Sequence, residues 1–502
     1  MLRRHGPALG LILLGVILLY ASVSAAGFCG YDDYNEAYRA AFFDAPAPGR
    51  IITATHFVAF MYRPVTSALQ LATWDAFAHN PIGFRLRNLA MHLIAIVMLY
   101  GIAFLLSRSR VVAAGAAAAF GVSPYTNQAV VVAIWTNTTA YAMLLSSLFA
   151  FLLALDRYDR KRNWAPALTV SFAIMAICLF TYEPTIVVFG MMIVYLALCR
   201  GTVHPVSRSF LQAFAVGLAL DLAIFFGVRH VIGVASAPLL PAAIIARSMF
   251  EYCVAVFLPV DPVLGNALFG VPLPVNGLPP NVSQLYAPLA GAALLLVALA
   301  LGAARPLGAR LASVPWRIIA FCIISIPLSL VPIAFFREHV SEFNLYVPAA
   351  LVALAVAIFV RHVTRNRAAF AIVMGLLIAM YAAGDYLRNT RVIACAAIAT
   401  KIVAEFPLSA WRSGDWHVRV ATPAADHLPL PFGVFNYAGI ETIELPKSLI
   451  KGSEEAARLA TGNDRIDIDI VAPAALAHGC AKPNTCLLVT SGGDVTPAVE
   501  PK

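Results

Sequence analysis

The sequence predicts an all-α polytopic membrane protein with about eleven transmembrane helices and a small α/β domain at its C-terminal end. Of the 502 residues, 61% are apolar and only 12% are charged, and the mean hydropathy is +0.80. Soluble domains are nearer half apolar and a quarter charged. The apolar residues gather into runs of about 20 residues, which is the length of one helical crossing of a bilayer.

The net charge of +9 comes from short clusters of Lys and Arg between the apolar runs. Such clusters are typical of cytoplasmic loops, whereas a nucleic-acid-binding protein gathers its basic residues on one face. The sequence therefore predicts a lipid bilayer as partner and no nucleic acid. Arg3 and Arg4 place the N-terminus in the cytoplasm. Residues 21–26 resemble a signal-peptide cleavage region, but the many later spans favour an uncleaved first helix.

Apolar length assigns the spans in order along the chain. The predicted spans are 8–26, 87–106, 111–127, 129–154, 165–181, 185–199, 209–228, 286–304, 318–335, 346–360 and 368–386. They form a transmembrane domain over 1–386, with a first outer loop at 27–86 and a long outer loop at 229–285. A short apolar segment at 248–258 is too brief for a crossing and is predicted to be interfacial or re-entrant.

The tail, residues 387–502, is predicted to be extracytoplasmic, because basic clusters follow the even-numbered spans and the span count is odd. Its runs 417–420 and 466–471 alternate as strands do. Cys480 and Cys486 flank a short polar loop, so a disulfide between them is predicted if the tail lies outside. The whole chain is thus expected to be a multi-pass protein of the cytoplasmic (inner) membrane.

Unusual polar residues collect on the side opposite the basic clusters. They are Asp32, Asp33, Arg63, His92, Asn127, Gln128, Glu183, Arg337, Glu338, His339, Glu342 and Asn344. Arginines and carboxylates in one outer pocket suit a substrate with phosphate and hydroxyl groups, since the guanidinium fork matches phosphate and a carboxylate can take a hydroxyl proton. No zinc-type cysteine spacing occurs, so no cofactor is assigned and a divalent cation is left open.

Each candidate also has a structural alternative. The acid pair Asp32 and Asp33 could be ordinary loop charges, and His92 could be a helix-packing histidine. Arg63 could be an interfacial anchor and Glu183 a helix-end charge. Arg337 could form a surface ion pair of little energetic value. If the acid pair lies on an extended loop, its two side chains point in opposite directions, and only one can face an acceptor.

Several motifs resemble those of the transmembrane-and-tetratricopeptide O-mannosyltransferase family, which belongs to the glycosyltransferase-C class. The motifs that match in order and spacing are Asp32-Asp33, Tyr62-Arg63-Pro64-Val65, Asn80-Pro81-x-Gly83-Phe84, Asn88-x-x-x-His92, Pro124 with Ala129-Val130, Glu183, and Ser341-Glu342-x-x-Leu345-Tyr346-Val347-Pro348. The resemblance covers residues 28–200 well and 330–350 more weakly. The tetratricopeptide array of that family is absent from the sequence.

The chain also departs from the family pattern at three places. Around Pro124 the family usually has a His on each side and an acid afterwards, where this chain has Ser123, Thr126 and Gln128. Tyr182 stands where the family has Lys. Residues 343–344 are Phe-Asn where the family has Arg-Tyr. These departures leave the donor-phosphate contacts and the acceptor open.

The resemblance implies transfer of a sugar from a polyprenyl-phosphate carrier to a hydroxyl on a protein or envelope glycan at the outer face of the cytoplasmic membrane. Asp32 or Asp33 would be the catalytic base, with Asp32 preferred because it lies nearer the membrane. The predicted substrate-binding residues are Arg63, His92, Gln128, Glu183, Arg337, Glu342 and Tyr346. The lipid phosphate is assigned to Arg63 and to Arg337, the latter from its charge and side alone.

Two other classes of protein fit the same sequence. A polysaccharide polymerase, ligase or flippase also has many spans and a large outer loop. A non-catalytic membrane scaffold would explain the departures from the family pattern.

Overall fold

The computed structural model of the chain is mostly helical, as the sequence predicts. It describes residues 2–28, 31–55, 61–78, 80–133, 136–200, 206–236, 238–257, 311–336, 342–364, 366–421, 453–471, 486–489 and 494–497. The predicted eighth span at 286–304, most of the long outer loop, Arg337 and Cys480 lie outside the described residues.

Sixteen α-helices follow one another in the described part of the chain. They are α1 (Leu2–Ser24), α2 (Tyr31–Arg39), α3 (Arg50–Thr53), α4 (Pro64–Phe77), α5 (Pro81–Ser107), α6 (Arg110–Gly121), α7 (Pro124–Val131), α8 (Asn137–Asp159), α9 (Ala165–Leu179), α10 (Val187–Tyr195), α11 (Arg208–Ile232), α12 (Ala242–Phe257), α13 (Trp316–Phe336), α14 (Tyr346–Thr364), α15 (Arg367–Glu405) and α16 (Ser453–Thr461). Short 3₁₀ turns at Glu183–Ile186 and Glu342–Leu345 lead into α10 and α14.

Eight helical segments of the described residues are long and apolar enough to cross a bilayer, and two shorter apolar helices, α6 and α9, lie beside them. The eight are Gly6–Ser24, Pro81–Ser107, Asn137–Asp159, Glu183–Arg200, Arg208–Ile232, Trp316–Phe335, Phe343–Thr364 and Arg367–Glu405. Each predicted span that falls on described residues overlaps at least one of these ten helical segments, although the predicted span 129–154 begins inside α7 and its long helix starts only at Asn137. The chain is therefore a multi-pass membrane protein.

Several helix bounds differ from the predicted ones for local reasons. The predicted span 111–127 is broken after Gly121, and α7 starts anew at Pro124, which suits a first helical turn because a backbone N–H would have no partner there. Helix α5 begins at Pro81, where the Asn80 side chain accepts the Ile82 N–H at 3.1 Å. Helix α15 continues to Glu405, well beyond the predicted end at 386.

The first outer loop contains helices, and the acid pair lies at the start of α2 instead of on an extended loop. In an α-helix successive side chains are about 100° apart, so the expectation of two oppositely directed carboxylates is wrong. Residues three apart share a face, which puts Asp33 beside Glu36 and Tyr34 beside Ala37. We call Tyr31–Arg39 the acid helix.

The tail contains a small four-stranded sheet, which confirms the predicted α/β domain. The strands are β1 (Trp416–Ala421), β2 (Ile466–Val471), β3 (Cys486–Val489) and β4 (Val495–Pro497), in the order β2-β1-β3-β4. Strand β1 pairs in parallel with β2 and β3, and β4 pairs antiparallel with β3. Cys486 is disulfide-bonded; its pairing with Cys480 stays a prediction.

Helix α16 packs the tail against the acid helix. Ala456 and Leu459 share one buried cluster with Tyr34 and Ala37 of the acid helix, and the Arg458 guanidinium lies 5.4 Å from the centre of the Tyr38 ring. The tail therefore covers the face of the acid helix that carries Tyr34 and Ala37.

Candidate functional site

Arg63 and Glu183 meet at one end of the helix bundle, although they are far apart in sequence. Arg63 precedes α4, and Glu183 opens the turn that follows α9. The Arg63 Nε donates to Glu183 Oε2 at 2.7 Å, and the Tyr62 N–H donates to Oε1 at 2.9 Å. One carboxylate thus holds both the side chain and the backbone of the 62–63 segment, which fixes Arg63 in place.

A second arginine, Arg229 near the end of α11, approaches the same carboxylate. Its Nη1 is 3.6 Å from Glu183 Oε1. The side chains of Arg63, Glu183 and Arg229 are only 12%, 18% and 16% exposed. We call these three residues the arginine cluster. Two cations share one anion, so the cluster carries one positive charge in excess.

Arg63 has unused hydrogen-bond donors. Burial alone lowers the pKa of Arg63, but attraction and hydrogen bonding to Glu183 outweigh that effect, so the pKa is raised and the group stays charged. Within the described residues the Arg63 side chain makes one hydrogen bond, from Nε. The guanidinium plane rests on the Tyr182 ring, 4.7 Å from the ring centre. The two Nη groups are therefore available as a fork for an anion such as phosphate.

The acid helix lies beside the arginine cluster. Asp33 is 1% exposed, and Glu36, one turn later on the same face, interacts electrostatically with both Arg63 and Arg87. Carboxylates on this face thus adjoin cationic groups. The Asp32 backbone is in the acid helix, but its side chain lies outside the described part of the structure.

Arg85 fixes the segment that leads into the acid helix. It is 1% exposed, and it donates from Nε to Val131 O at 2.9 Å, from Nη2 to Gly27 O at 2.6 Å, and from Nη1 to Ala26 O. One side chain therefore joins the end of α1, the end of α7 and the start of α5. No motif of the sequence had marked Arg85.

Arg87 joins α4 to α5 through neutral acceptors. Its Nη1 donates to Gln70 Oε1 at 3.0 Å and to Thr73 Oγ1 at 3.2 Å. Asn88 next to it donates from Nδ2 to Val132 O at 2.8 Å. The Arg87 bonds hold helix α4, and with it Arg63 at its start, against α5.

His92 and Tyr346, both predicted to bind substrate, contact each other inside the bundle. The His92 Nδ1 lies 2.7 Å from the Tyr346 hydroxyl, and Nε2 lies 3.1 Å from Gly121 O. Both side chains are fully buried. Because each ring nitrogen of His92 has a protein partner, this geometry favours the helix-packing alternative, and a direct substrate contact stays a prediction.

Gln128 and the 343–344 segment lie together next to Tyr182. The Phe343 N–H donates to Gln128 Oε1 at 3.0 Å. Asn344 Oδ1 accepts from the hydroxyls of Tyr182 at 3.0 Å and Tyr141 at 3.3 Å, and Asn344 Nδ2 donates to the Tyr252 hydroxyl at 2.8 Å. This buried network connects α7, α8, α12 and the start of α14 to the residue on which Arg63 rests.

The structure thus brings Arg63 and Glu183 into direct contact, with Asp33 on a neighbouring helix, and it links Gln128 to the same end of the bundle. Arg337 and the side chain of Glu342 lie outside the described residues. Sequence reasoning missed Arg229, Arg85 and Glu36, which carry no motif. The described residues contain no group of three or more His, Cys, Asp or Glu side chains that could hold a metal ion.

No protein-family model matches the chain, and no curated protein matches it significantly. Among solved structures, it is similar to the apo oligosaccharyltransferase of Archaeoglobus fulgidus at 13% identity and a TM-score of 0.48, covering 87% of this chain and 63% of that one. It is also similar to ArnT of Cupriavidus metallidurans bound to undecaprenyl phosphate, at 15% identity and a TM-score of 0.44, covering 95% of this chain and 92% of that one.

A third similar structure is the Archaeoglobus fulgidus oligosaccharyltransferase AglB with an inhibitory peptide and a dolichol-phosphate, at 12% identity and a TM-score of 0.47, covering 89% of this chain and 65% of that one. The chain spans less than two thirds of the archaeal enzyme's length. These neighbours are membrane glycosyltransferases of the glycosyltransferase-C fold, the class that the sequence motifs resemble. TM-scores below 0.5 assign neither a family nor a reaction, so function rests on the chain's own residues.

Proposed function

We propose that the chain is a glycosyltransferase that moves a sugar from a polyprenyl-phosphate carrier to a hydroxyl on a protein or envelope glycan. The reaction would take place at the outer face of the cytoplasmic membrane, with the N-terminus in the cytoplasm and the tail outside. One observation carries the proposal. A buried carboxylate, Asp33, lies on a helix beside an arginine cluster that has excess positive charge and an open guanidinium edge, at one end of a membrane bundle.

In this reaction the acceptor hydroxyl gives its proton to the Asp33 carboxylate, with Asp32 as the other candidate base. The hydroxyl oxygen attacks the anomeric carbon in line, the bond from that carbon to the phosphate oxygen breaks, and the configuration inverts. The phosphate leaves with the bonding electrons as polyprenyl phosphate. A positioned base of this kind contributes about 10² to 10⁴ in rate.

The charge of the arginine cluster suits the donor and its leaving group. A sugar linked through one phosphate is a phosphodiester with a single negative charge, which matches the one excess positive charge of Arg63, Glu183 and Arg229. The phosphate gains negative charge as the sugar leaves. Donors fixed on that developing charge in a site of low dielectric stabilise the transition state more than the ground state.

The test is sugar transfer by the purified protein in nanodiscs, with a panel of polyprenyl-phosphate-linked sugars and with carrier binding measured in parallel. Asp33→Asn and Asp32→Asn keep the shape and remove the base, so at least one should lose transfer by about 10² or more while still binding the carrier. Asp75→Asn is the matched control, because Asp75 is an exposed acid on α4 of the same outer loop. A parallel series with a chelator tests the need for a divalent cation.

Transfer at the parent rate by both acid-pair variants would show that neither Asp32 nor Asp33 is the catalytic base. A parent protein that binds the carrier but transfers no sugar from any donor of the panel would favour the scaffold alternative. Movement of the carrier across the bilayer without any transfer would favour a flippase.

A further inference from the structure

Four residues from three separate places in the sequence form one buried network. Tyr182 and Asn344 share a hydrogen bond of 3.0 Å, and Gln128 accepts the N–H of Phe343 at 3.0 Å. All four residues are buried, and Phe343 and Asn344 are neighbours in the chain. The network is neutral, and its hydrogen bonds pair polar groups that burial would otherwise leave without partners.

Tyr182 connects this network to the arginine cluster. Its hydroxyl donates to Asn344, and its ring makes T-shaped contacts with Tyr141, at 5.8 Å between ring centroids and 88° between ring planes, and with Phe343, at 6.4 Å and 63°. The Arg63 guanidinium lies over the Tyr182 ring, 4.7 Å from its centre. The ring is thus held at its hydroxyl end by Asn344 and meets a cation with its face.

We propose that Tyr182, fixed by Asn344, is a positioning residue that aims the two unused Nη groups of Arg63 at the carrier phosphate. Glu183 fixes the Nε edge of the guanidinium, and the Tyr182 face fixes its plane. Two constraints on a planar group leave only the Nη edge for an anion, which is the geometry of bidentate phosphate binding. The inference rests on the proposed function, since it concerns the same phosphate site.

Tyr141 provides a matched control for Tyr182. Both tyrosines are buried and both donate to Asn344 Oδ1, at 3.3 Å and 3.0 Å. Tyr141 stacks on Tyr346, with centroids 5.1 Å apart and planes at 17°, whereas Tyr182 supports Arg63. A purely structural role predicts equal effects for the two positions, and a positioning role predicts an effect on phosphate binding at Tyr182 alone.

The experiment measures binding of polyprenyl phosphate and of the uncharged polyprenol to full-length protein in nanodiscs. Tyr182→Met and Tyr182→Leu both remove the aromatic face, and the test can proceed with either variant if the other does not fold. Tyr141→Met and Tyr141→Leu are the matched controls. Loss of a cation–π contact of this kind should weaken polyprenyl phosphate binding about 3- to 30-fold at Tyr182. Polyprenol binding, and both ligands at Tyr141, should change less than about 2-fold.

A double-mutant cycle with Arg63→Met, which removes the cation, shows whether Tyr182 acts through Arg63. If it does, the Tyr182→Met effect should shrink to less than about 2-fold in the Arg63→Met background. Equal losses at Tyr141 and Tyr182, or a Tyr182→Met effect that is undiminished beside Arg63→Met, would overturn this inference alone. A parent protein that does not bind polyprenyl phosphate would overturn the proposed function as well. Polyprenyl phosphate is the product of the proposed reaction, so its binding can be measured whether or not the protein transfers a sugar.

Discussion

Replacing Arg85 should loosen the acid helix before it affects the arginine cluster. The Arg85 side chain is 1% exposed, and its three hydrogen bonds go to the carbonyls of Ala26, Gly27 and Val131. Within the described residues it has no carboxylate partner, and all three of its acceptors are backbone carbonyls. Arg85→Met keeps much of the volume and leaves those three carbonyls without their donor.

Two opposing contributions determine how much Arg85→Met changes the free energy of unfolding. A buried acceptor that loses its donor costs about 1–3 kcal/mol, and three acceptors are affected. Removing a buried cation without an ion-pair partner returns several kcal/mol of desolvation free energy. We expect a net loss of about 2–4 kcal/mol in the free energy of unfolding for Arg85→Met. Arg85→Lys keeps the charge but loses the planar fork, so it should lose roughly half as much.

Hydrogen exchange resolved along the sequence locates the effect, and thermal unfolding in nanodiscs measures its size. Residues 26–27 lie a few positions before the acid helix begins at Tyr31, so exchange should rise most over residues 31–39. The rate of sugar transfer should fall by about 10-fold or more because the proposed base, Asp33, loses its position. The affinity for the carrier should stay near that of the parent protein. The control is Arg108→Met, since Arg108 is 52% exposed and its ion pair with Asp156 should contribute only about 0–1 kcal/mol.

An Arg85→Met protein with parent stability would refute the calculation, because the three carbonyls would then find other donors at no cost. Faster exchange spread evenly over the bundle, with none concentrated at 31–39, would refute the assignment of Arg85 to the acid helix.

Three further predictions concern the role of Arg63, the protonation of Glu455 and the side of the membrane on which the tail lies. Arg63→Lys keeps the charge but loses the fork, so carrier affinity should fall by about 10-fold; unchanged binding would make Arg63 an interfacial anchor. Burial raises the pKa of Glu455 above its usual value of 4.5, so the folded tail holds this proton more tightly than the unfolded chain. That contribution to stability is complete below about pH 4.5 and is lost as the pH rises through the raised pKa; Glu455→Gln should therefore raise the melting temperature of the tail at about pH 7 and leave it unchanged at about pH 4. A reporter that is active only in the cytoplasm should be silent when fused after Lys502, and a bright signal would place the tail inside.

The sequence predicted the spans because apolar length is a local property of the chain. It also placed Arg63 and Glu183 on one side of the membrane by counting crossings, and the structure brings them to a 2.7 Å contact. Counting crossings assigns each residue to one side of the membrane, but it gives no distance between two residues on that side. Arg229, predicted to start the long outer loop, is instead part of α11 and approaches Glu183.

Polar residues that face the interior of a bundle were the main failure of the sequence analysis. The predicted last span, 368–386, ends beside Asp385, Arg388 and Asn389, because polar residues lower the hydropathy of any window that contains them. In the structure all three are buried inside α15. The Tyr20 hydroxyl donates to Asp385 Oδ2 at 2.9 Å, and Asn389 Nδ2 donates to Leu19 O at 2.9 Å. Hydropathy cannot show that a helical polar residue has a partner on another helix.

The acid helix shows why the tail belongs to the site although the two are distant in sequence. A nine-residue helix on its own is unstable in water, so its position depends on packing. Tyr34 and Ala37 pack against Ala456 and Leu459 of α16, and this contact sets the rotation of the helix about its axis. Asp33 precedes Tyr34 by one residue and Ala37 by four, which is about 100° and about 40° of rotation around the helix, so the same contact also sets the direction of the Asp33 side chain. The tail therefore helps to orient Asp33, the proposed base, and no motif near Asp33 could have revealed this.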